Sequence, residues 1–170
     1  DTLYCDVIDS KKRLACIQLL NILLEILLKW FAPILTFTTE EIYKIIGNKK
    51  QSIHLEKFPN IPSEWKNQTL NQKWVELIKI RDNCNISIEK KRSEKVIGSS
   101  LEAEINLSLN KELFNKFKNF NFEELLITSK VNIFIENTQE FEFKAVTNKA
   151  QGKKCPVCWK IRENKCERHG

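Results

Sequence analysis

Between Leu14 and Phe31 the apolar residues Leu14, Ile17, Leu20, Leu24, Leu27, Leu28 and Phe31 recur at helical spacing, with Leu23, Ile26 and Trp30 widening the face. The pattern predicts a long helix, capped by Asp9-Ser10 and buried on most sides. A bilayer span is the competing reading. Asn21, Glu25 and Lys29 interrupt the run, and Pro33 ends it before the ~20 apolar residues a bilayer demands, so no membrane is expected. Beyond Pro33, Thr38 followed by Glu41 has capping-box spacing and opens a shorter helix through Tyr43 and Ile46, with Gly47 as its stop. Two such helices are expected to be part of a bundle whose other members lie outside the chain.

Residues 48–66, with Pro59 and Pro62, read as an irregular crossing segment. A long helix follows, up to about Lys95. Its seam Leu70, Trp74, Leu77, Arg81, Cys84 and Ile88 steps by alternating four and three residues. An aromatic, an arginine and a cysteine in that seam favour packing against a small domain over a coiled coil. From Leu101 the period becomes two, with Leu101, Ala103, Ile105, Leu107 and Leu109 on one face of a half-buried strand. Asn110 can cap a short helix carrying Leu113, Phe114 and Phe117. Leu125 to Ser129, Val131 to Ile135 and Glu140 to Val146 then read as strands or strand-helix transitions. Phenylalanines 114, 117, 134, 141 and 143 could stack bases, but their charged neighbours favour core packing. Gly98-Ser99-Ser100 lacks the spacing and following helix of a phosphate loop and is expected to be a turn. The fold class is therefore α+β.

The formal net charge of +6 is a modest argument for a polyanionic partner. Its distribution says more, because Lys144, Lys149, Lys153, Lys154, Lys160, Arg162, Lys165 and Arg168 crowd the end of the chain. The same stretch carries Cys155, Cys158, Cys166 and His169, spaced C-x2-C-x7-C-x2-H. Thiolate and imidazole are ligands Zn2+ prefers, and four of them close a tetrahedral structural site with no open position for a substrate. One structural zinc per chain is expected, a disulfide or spare thiols being the alternatives. Nothing resembles a secretory signal, which argues against a disulfide framework. Cys5, Cys16 and Cys84, scattered through helical patterns, read as small core residues of a reduced, cytoplasmic protein. His54 has no nearby nucleophile pattern, and Glu40-Glu41 and Glu123-Glu124 suit helix starts, so no catalytic residue is assigned.

Read in order, five runs resemble the carboxy-terminal part of the bacterial-type isoleucyl-tRNA synthetases, a family of class I aminoacyl-tRNA synthetases. They are DTLYCD from Asp1, APILTFTTEE from Ala32, SIHLEKFP from Ser52, KVIGSSLEA from Lys95 and GKKCPVCW from Gly152. The first two are shared with the valyl and leucyl enzymes, whereas the fourth and fifth together are more diagnostic. The resemblance implies that residues 1–47 end an anticodon-binding helical bundle, 48–66 cross from it, 67–150 form a junction unit and 151–170 a zinc-binding module. It implies a parent enzyme that joins isoleucine to its tRNA, with ATP and Mg2+ acting only in a catalytic domain outside the chain. The chain departs from the family where the terminal knuckle ends in His169 after a short loop, in place of a cysteine after a longer insert.

On this reading the chain grips an anticodon stem-loop and the rest of the synthetase, as a monomer. Lys153, Lys154, Trp159, Lys160, Arg162 and Arg168 are the expected RNA contacts, with Arg81 and Arg92 on the long helix in second place. Trp159 could equally pack over the thiolates or against Val157. Arg81 could instead form a structural ion pair. The absence of any Met and the abrupt start at Asp1 lead to the expectation of a piece of a longer polypeptide. The rivals are a free-standing zinc-ribbon adaptor for RNA or protein, a purely structural interaction module, and the same region of another class I enzyme such as the valyl one.

Overall fold

A computed structural model describes residues 2–47, 51–136 and 143–169, so the expectations for Glu140 and Phe141 lie outside the described residues. The chain divides into two compact units, Asp1–Lys66 and Asn67–Gly170.

The first unit holds helices α1 (Thr2–Cys5), α2 (Lys11–Phe31) and α3 (Thr36–Ile45), followed by 3-10 turns at Ile53–Leu55 and Ser63–Trp65. Ser10 is the N-cap of α2, its hydroxyl accepting the Arg13 N–H at 3.2 Å. Leu28, Ala32, Tyr43 and Ile53 make a small core. Glu40 ties α3 to the first 3-10 turn by accepting the Ser52 hydroxyl at 2.8 Å and the Ile53 N–H at 3.0 Å. Tyr43 donates its hydroxyl to Glu56 at 3.0 Å, and Lys29 pairs with Glu25 at 2.5 Å.

Two expectations are corrected here. Within its unit α2 buries only Leu28, while Leu20, Leu24, Leu27 and Trp30 are exposed, because α3 and the 3-10 turn are too short to cover a 21-residue helix. Among the described residues, α2 is the one helix long and apolar enough to cross a bilayer by length and composition. Helix α3 begins at Thr36 without a side-chain cap, so Thr38 is an interior residue. Gly47 follows the helix at φ +73°, a left-handed position that costs glycine little.

The second unit is two layers. Helix α4 (Gln68–Ser93) leads through a 3-10 turn at Ser100–Glu102 into β1 (Ala103–Leu109), then α5 (Lys111–Phe117), α6 (Phe122–Leu125), β2 (Lys130–Ile135) and β3 (Phe143–Lys149). A hairpin of β4 (Lys153–Lys154) and β5 (Ile161–Arg162) follows. The main sheet has the order β2-β1-β3, with β1 parallel to β2 and antiparallel to β3. The parallel pair requires a crossover, which α5 and α6 supply. Ala103, Ile105, Leu107 and Leu109 of β1 share one core with Leu77, Ile80, Cys84 and Ile88 of α4, Phe117 of α5 and Phe122 of α6. All three helices therefore cover one face of the sheet.

Asn67, Asn110 and Asn121 each cap the helix that follows by accepting the N–H three residues on. Along α4 the buried position is Ile80, not Arg81, which is exposed. Ile80 and Arg81 lie about equally far to either side of a seam through Leu77 and Cys84, so the burial of Ile80 is set by the side on which the sheet core packs against α4 and not by the repeat. Leu125 to Ser129, expected as a strand or a strand-helix transition, forms the end of α6 and the loop before β2. Phe117 is buried and Phe114 and Phe143 pack against the core, but Phe134 is 50% exposed on the opposite face of the sheet.

Candidate metal centre and nucleic-acid interface

The β4–β5 hairpin pairs Lys153 with Arg162 and Lys154 with Ile161. Gly152 makes the approach possible. It stands at φ +122°, and a Cβ there would lie 2.2 Å from the Arg162 carbonyl oxygen. Between the strands the chain doubles back. The Cys155 N–H donates to the Lys160 carbonyl at 2.9 Å, and the Trp159 N–H donates to the Cys155 carbonyl at 3.0 Å. Trp159 takes φ +63°, the left-handed residue that lets the loop close after Cys158. A second tight turn has the His169 N–H donating to the Cys166 carbonyl at 3.1 Å.

These two turns bring Cys155, Cys158, Cys166 and His169 together, with ligand atoms all within 4.8 Å of one another. His169 Nδ1 lies 3.6 Å from the Cys155 Sγ and 3.4 Å from the Cys166 Sγ, and the Cys158 and Cys166 sulfurs are 3.7 Å apart. Tetrahedral Zn–S and Zn–N bonds imply ligand separations of about 3.5–3.8 Å, so the residues present fit a metal ion. Cys155 and Cys158 are buried. Backbone N–H groups of Cys158 and Val157 hydrogen-bond the Cys155 sulfur and bring its pKa down to about 6. Burial pushes the Cys158 thiol up. Burial also opposes ionisation of Cys166, but the Arg168 N–H, His169 and Cys158 outweigh it and hold Cys166 below its ordinary value. A thiolate-forming cluster is what a cation needs.

The residues expected at an RNA interface separate into two groups. Lys153 and Lys154 are exposed, and Trp159 is 58% exposed with the Lys154 Nζ 5.3 Å from its ring. Trp159 therefore does not seal the thiolates. Lys160 and Arg162 turn inward instead. Arg162 donates to Glu123 at 2.7 Å and to the Ser129 carbonyl at 2.5 Å, while the Lys160 Nζ lies 3.7 Å from the same carboxylate. Burial lowers the pKa of Lys160 against the pull of Glu123, and the hydrogen bond to Glu123 raises that of Arg162. The Ser129 hydroxyl accepts the Ile161 N–H at 2.6 Å and donates to the Leu101 carbonyl. Glu123 thus anchors the hairpin to α6, and Ser129 anchors it to the α6–β2 loop. In the sequence it looked like a helix-start acid, and nothing local marked its partners, which lie 37 and 39 residues away. Arg168 is half-buried beside the cluster. On α4, Arg81 is exposed and Arg92 pairs with Glu89 at 2.7 Å.

The sequence pattern of the anticodon-binding domain of tRNA ligase matches residues 1–107. The chain belongs to the anticodon-binding domain family of tRNA ligases. Its similarity runs beyond that match. The isoleucine–tRNA ligase of Pelagibacter ubique is 54% identical over 99% of the chain, and the chain covers 18% of that protein. The isoleucine–tRNA ligases of Agrobacterium fabrum and Natranaerobius thermophilus are 38% and 34% identical over 95% and 94% of the chain. The chain covers 18% and 19% of those proteins, so it spans about a fifth of the length of the curated relatives it matches. The family match runs from α1 through most of β1, and the Cys155, Cys158, Cys166 and His169 cluster lies beyond it.

Proposed function

We propose that the chain is the tRNA-gripping part of an isoleucine–tRNA ligase, holding the anticodon stem-loop while isoleucine is joined to its tRNA elsewhere in the protein. ATP and Mg2+ act in that catalytic portion. The observation that carries the reading is an exposed tryptophan and two exposed lysines on the hairpin that also presents Cys155 and Cys158. The Cys155, Cys158 and Cys166 thiolates and the His169 imidazole would hold one Zn2+, which supplies a fixed tetrahedral node and no substrate position. Lys153 and Lys154 then meet phosphates, and Trp159 offers an aromatic face to an unpaired loop base. Lys160 and Arg162 hold the hairpin in place through Glu123, and Arg168, Arg81 and Arg92 supply further positive charge. The parent protein is assigned to the cytoplasm, as a monomer, with residues 1–47 closing the helical bundle and 151–170 forming the zinc module.

The test is binding of zinc-loaded protein to an isoleucine tRNA transcript beside an anticodon-swapped control. Preferential binding of the former is expected, with the paired Lys153→Ala and Lys154→Ala changes reducing it and flattening its salt dependence. Equal affinity for both transcripts would remove anticodon recognition. A Cys158→Ser variant that kept full zinc content and full tRNA affinity would remove the zinc platform.

A further inference from the structure

We propose that the open face of the β2-β1-β3 sheet binds unpaired RNA nucleotides, with Phe134 stacking on a base and Asn106 and Asn132 meeting its edge. The proposal rests on the tRNA-binding reading above and adds a second contact surface to it, apart from the metal hairpin. The three helices of this unit pack on the other side of the sheet, leaving this face toward solvent. On it, the register sets Asn106 beside Asn132, and Ser108 between Phe134 and Lys144.

Each part of that grid has a use. Phe134 is half exposed although strand residues of the same chain bury Leu107 and Ile105 completely. A flat aromatic standing from an open sheet is the kind of platform on which single-stranded RNA stacks its bases. Asn132 stands two residues away on the same strand, about 6.6 Å along it, within the width of a stacked base. Its amide nitrogen donates to Asn106 Oδ1 at 2.9 Å and to Glu104 Oε1 at 2.7 Å. The Asn106 nitrogen and the Asn132 oxygen make no hydrogen bond among the described residues, and neither is buried. They form an adjacent donor and acceptor, the complement of a base edge.

Charge supports the same occupant. On the described strands of this face, Glu104 is neutralised by Lys130 at 3.3 Å as well as by Asn132. Lys144 stands exposed across the sheet from Phe134, two strand spacings or about 9.6 Å away. Its strand borders a groove shared with Lys90 and Lys91 of α4. A protein partner would want an apolar centre, and among the described strand residues of this face Phe134 has Val146 as its exposed apolar companion.

Affinity of the full zinc-loaded chain for the isoleucine tRNA transcript provides the test, with Phe134→Ala, Phe134→Tyr and the paired Asn106→Ala and Asn132→Ala changes. Phe134→Ala should bind about tenfold more weakly and Phe134→Tyr close to the parent, because stacking needs a ring and tolerates its hydroxyl. A p-benzoylphenylalanine at position 134 should crosslink to the RNA. If Phe134→Ala and the asparagine pair bind as tightly as the parent, while the Lys153 and Lys154 changes weaken binding, this inference fails and the metal-hairpin reading stands. A crosslink from position 134 to protein alone also overturns it. Absence of any tRNA binding by the parent chain overturns both.

Discussion

At the scale of single residues, the second unit turns on a few side chains whose roles come from partners far along the chain. Gly152 is the sharpest case, since an added methyl would meet both the carbonyl oxygen and carbon of Arg162, at 2.2 and 2.4 Å. The left-handed backbone itself costs a side-chain-bearing residue about 1–3 kcal/mol. Gly152→Ala should therefore lower the melting temperature by roughly 4–8 °C for each kcal/mol in a unit of this size, and should weaken retention of the metal. A thermal scan together with metal content checks both. Unchanged values would mean the hairpin forms without close β4–β5 pairing. Glu123 holds the same hairpin from α6, but its effect is distributed over Arg162 and Lys160.

At the scale of elements, α4 tests the difference between a sequence seam and a packed one. Ile80 is fully buried and Arg81 exposed. Ile80→Ala should destabilise the unit by about 2–5 kcal/mol, and Arg81→Ala by no more than about 0.5 kcal/mol, as read from denaturant midpoints. Equal effects would restore the seven-residue seam. In the first unit, Glu40 fastens α3 to the 3-10 turn, and the Ser52 hydroxyl, the Ile53 N–H and Lys44 hold its pKa below the ordinary value. Its carboxylate therefore stabilises this unit above the ordinary glutamate range, and that contribution is lost as pH falls through the lower folded value. Glu40→Gln should narrow the stability gap between neutral and acidic pH, which melting curves across the acid range measure. An unaltered gap would show that Glu40 is not the linkage.

What the sequence disclosed follows the same division. β1 was legible because a central strand with one covered face alternates strictly, and the asparagine cap of α5 was legible because capping is local. The metal cluster could be read for a related reason, since each ligand pair is set by one tight turn. The inward roles of Lys160 and Arg162 and the outward face of Phe134 were not legible. They depend on strand register and on contacts more than thirty residues apart, which a one-dimensional pattern does not encode. The apolar surface of α2 predicts burial but stands exposed, because such a pattern encodes a need for cover and not what this unit offers to cover it.

At the scale of the whole molecule, the sheet core and the cysteine-histidine cluster are built from separate sets of residues. The core joins α4, β1, α5 and α6 and includes none of the cluster cysteines, while the hairpin is tied to it through Glu123 and Ser129. Removing the metal should therefore loosen the hairpin without melting the sheet. The Cys155, Trp159 and His169 amides, which donate only within the two ligand turns, should lose hydrogen-exchange protection when a chelator is added. Ile105 and Leu107, fully buried on the central strand, should keep theirs. With the metal removed, the turn N–H groups that lower the Cys155 and Cys166 pKa values favour the closed turns as pH rises, so the loosened state should spread as pH falls. Exchange measured with and without chelator reads this directly. Collapse of β1 protection together with the hairpin would mean that the metal holds the whole unit, and unchanged hairpin protection would mean that hydrogen bonds alone hold the turns.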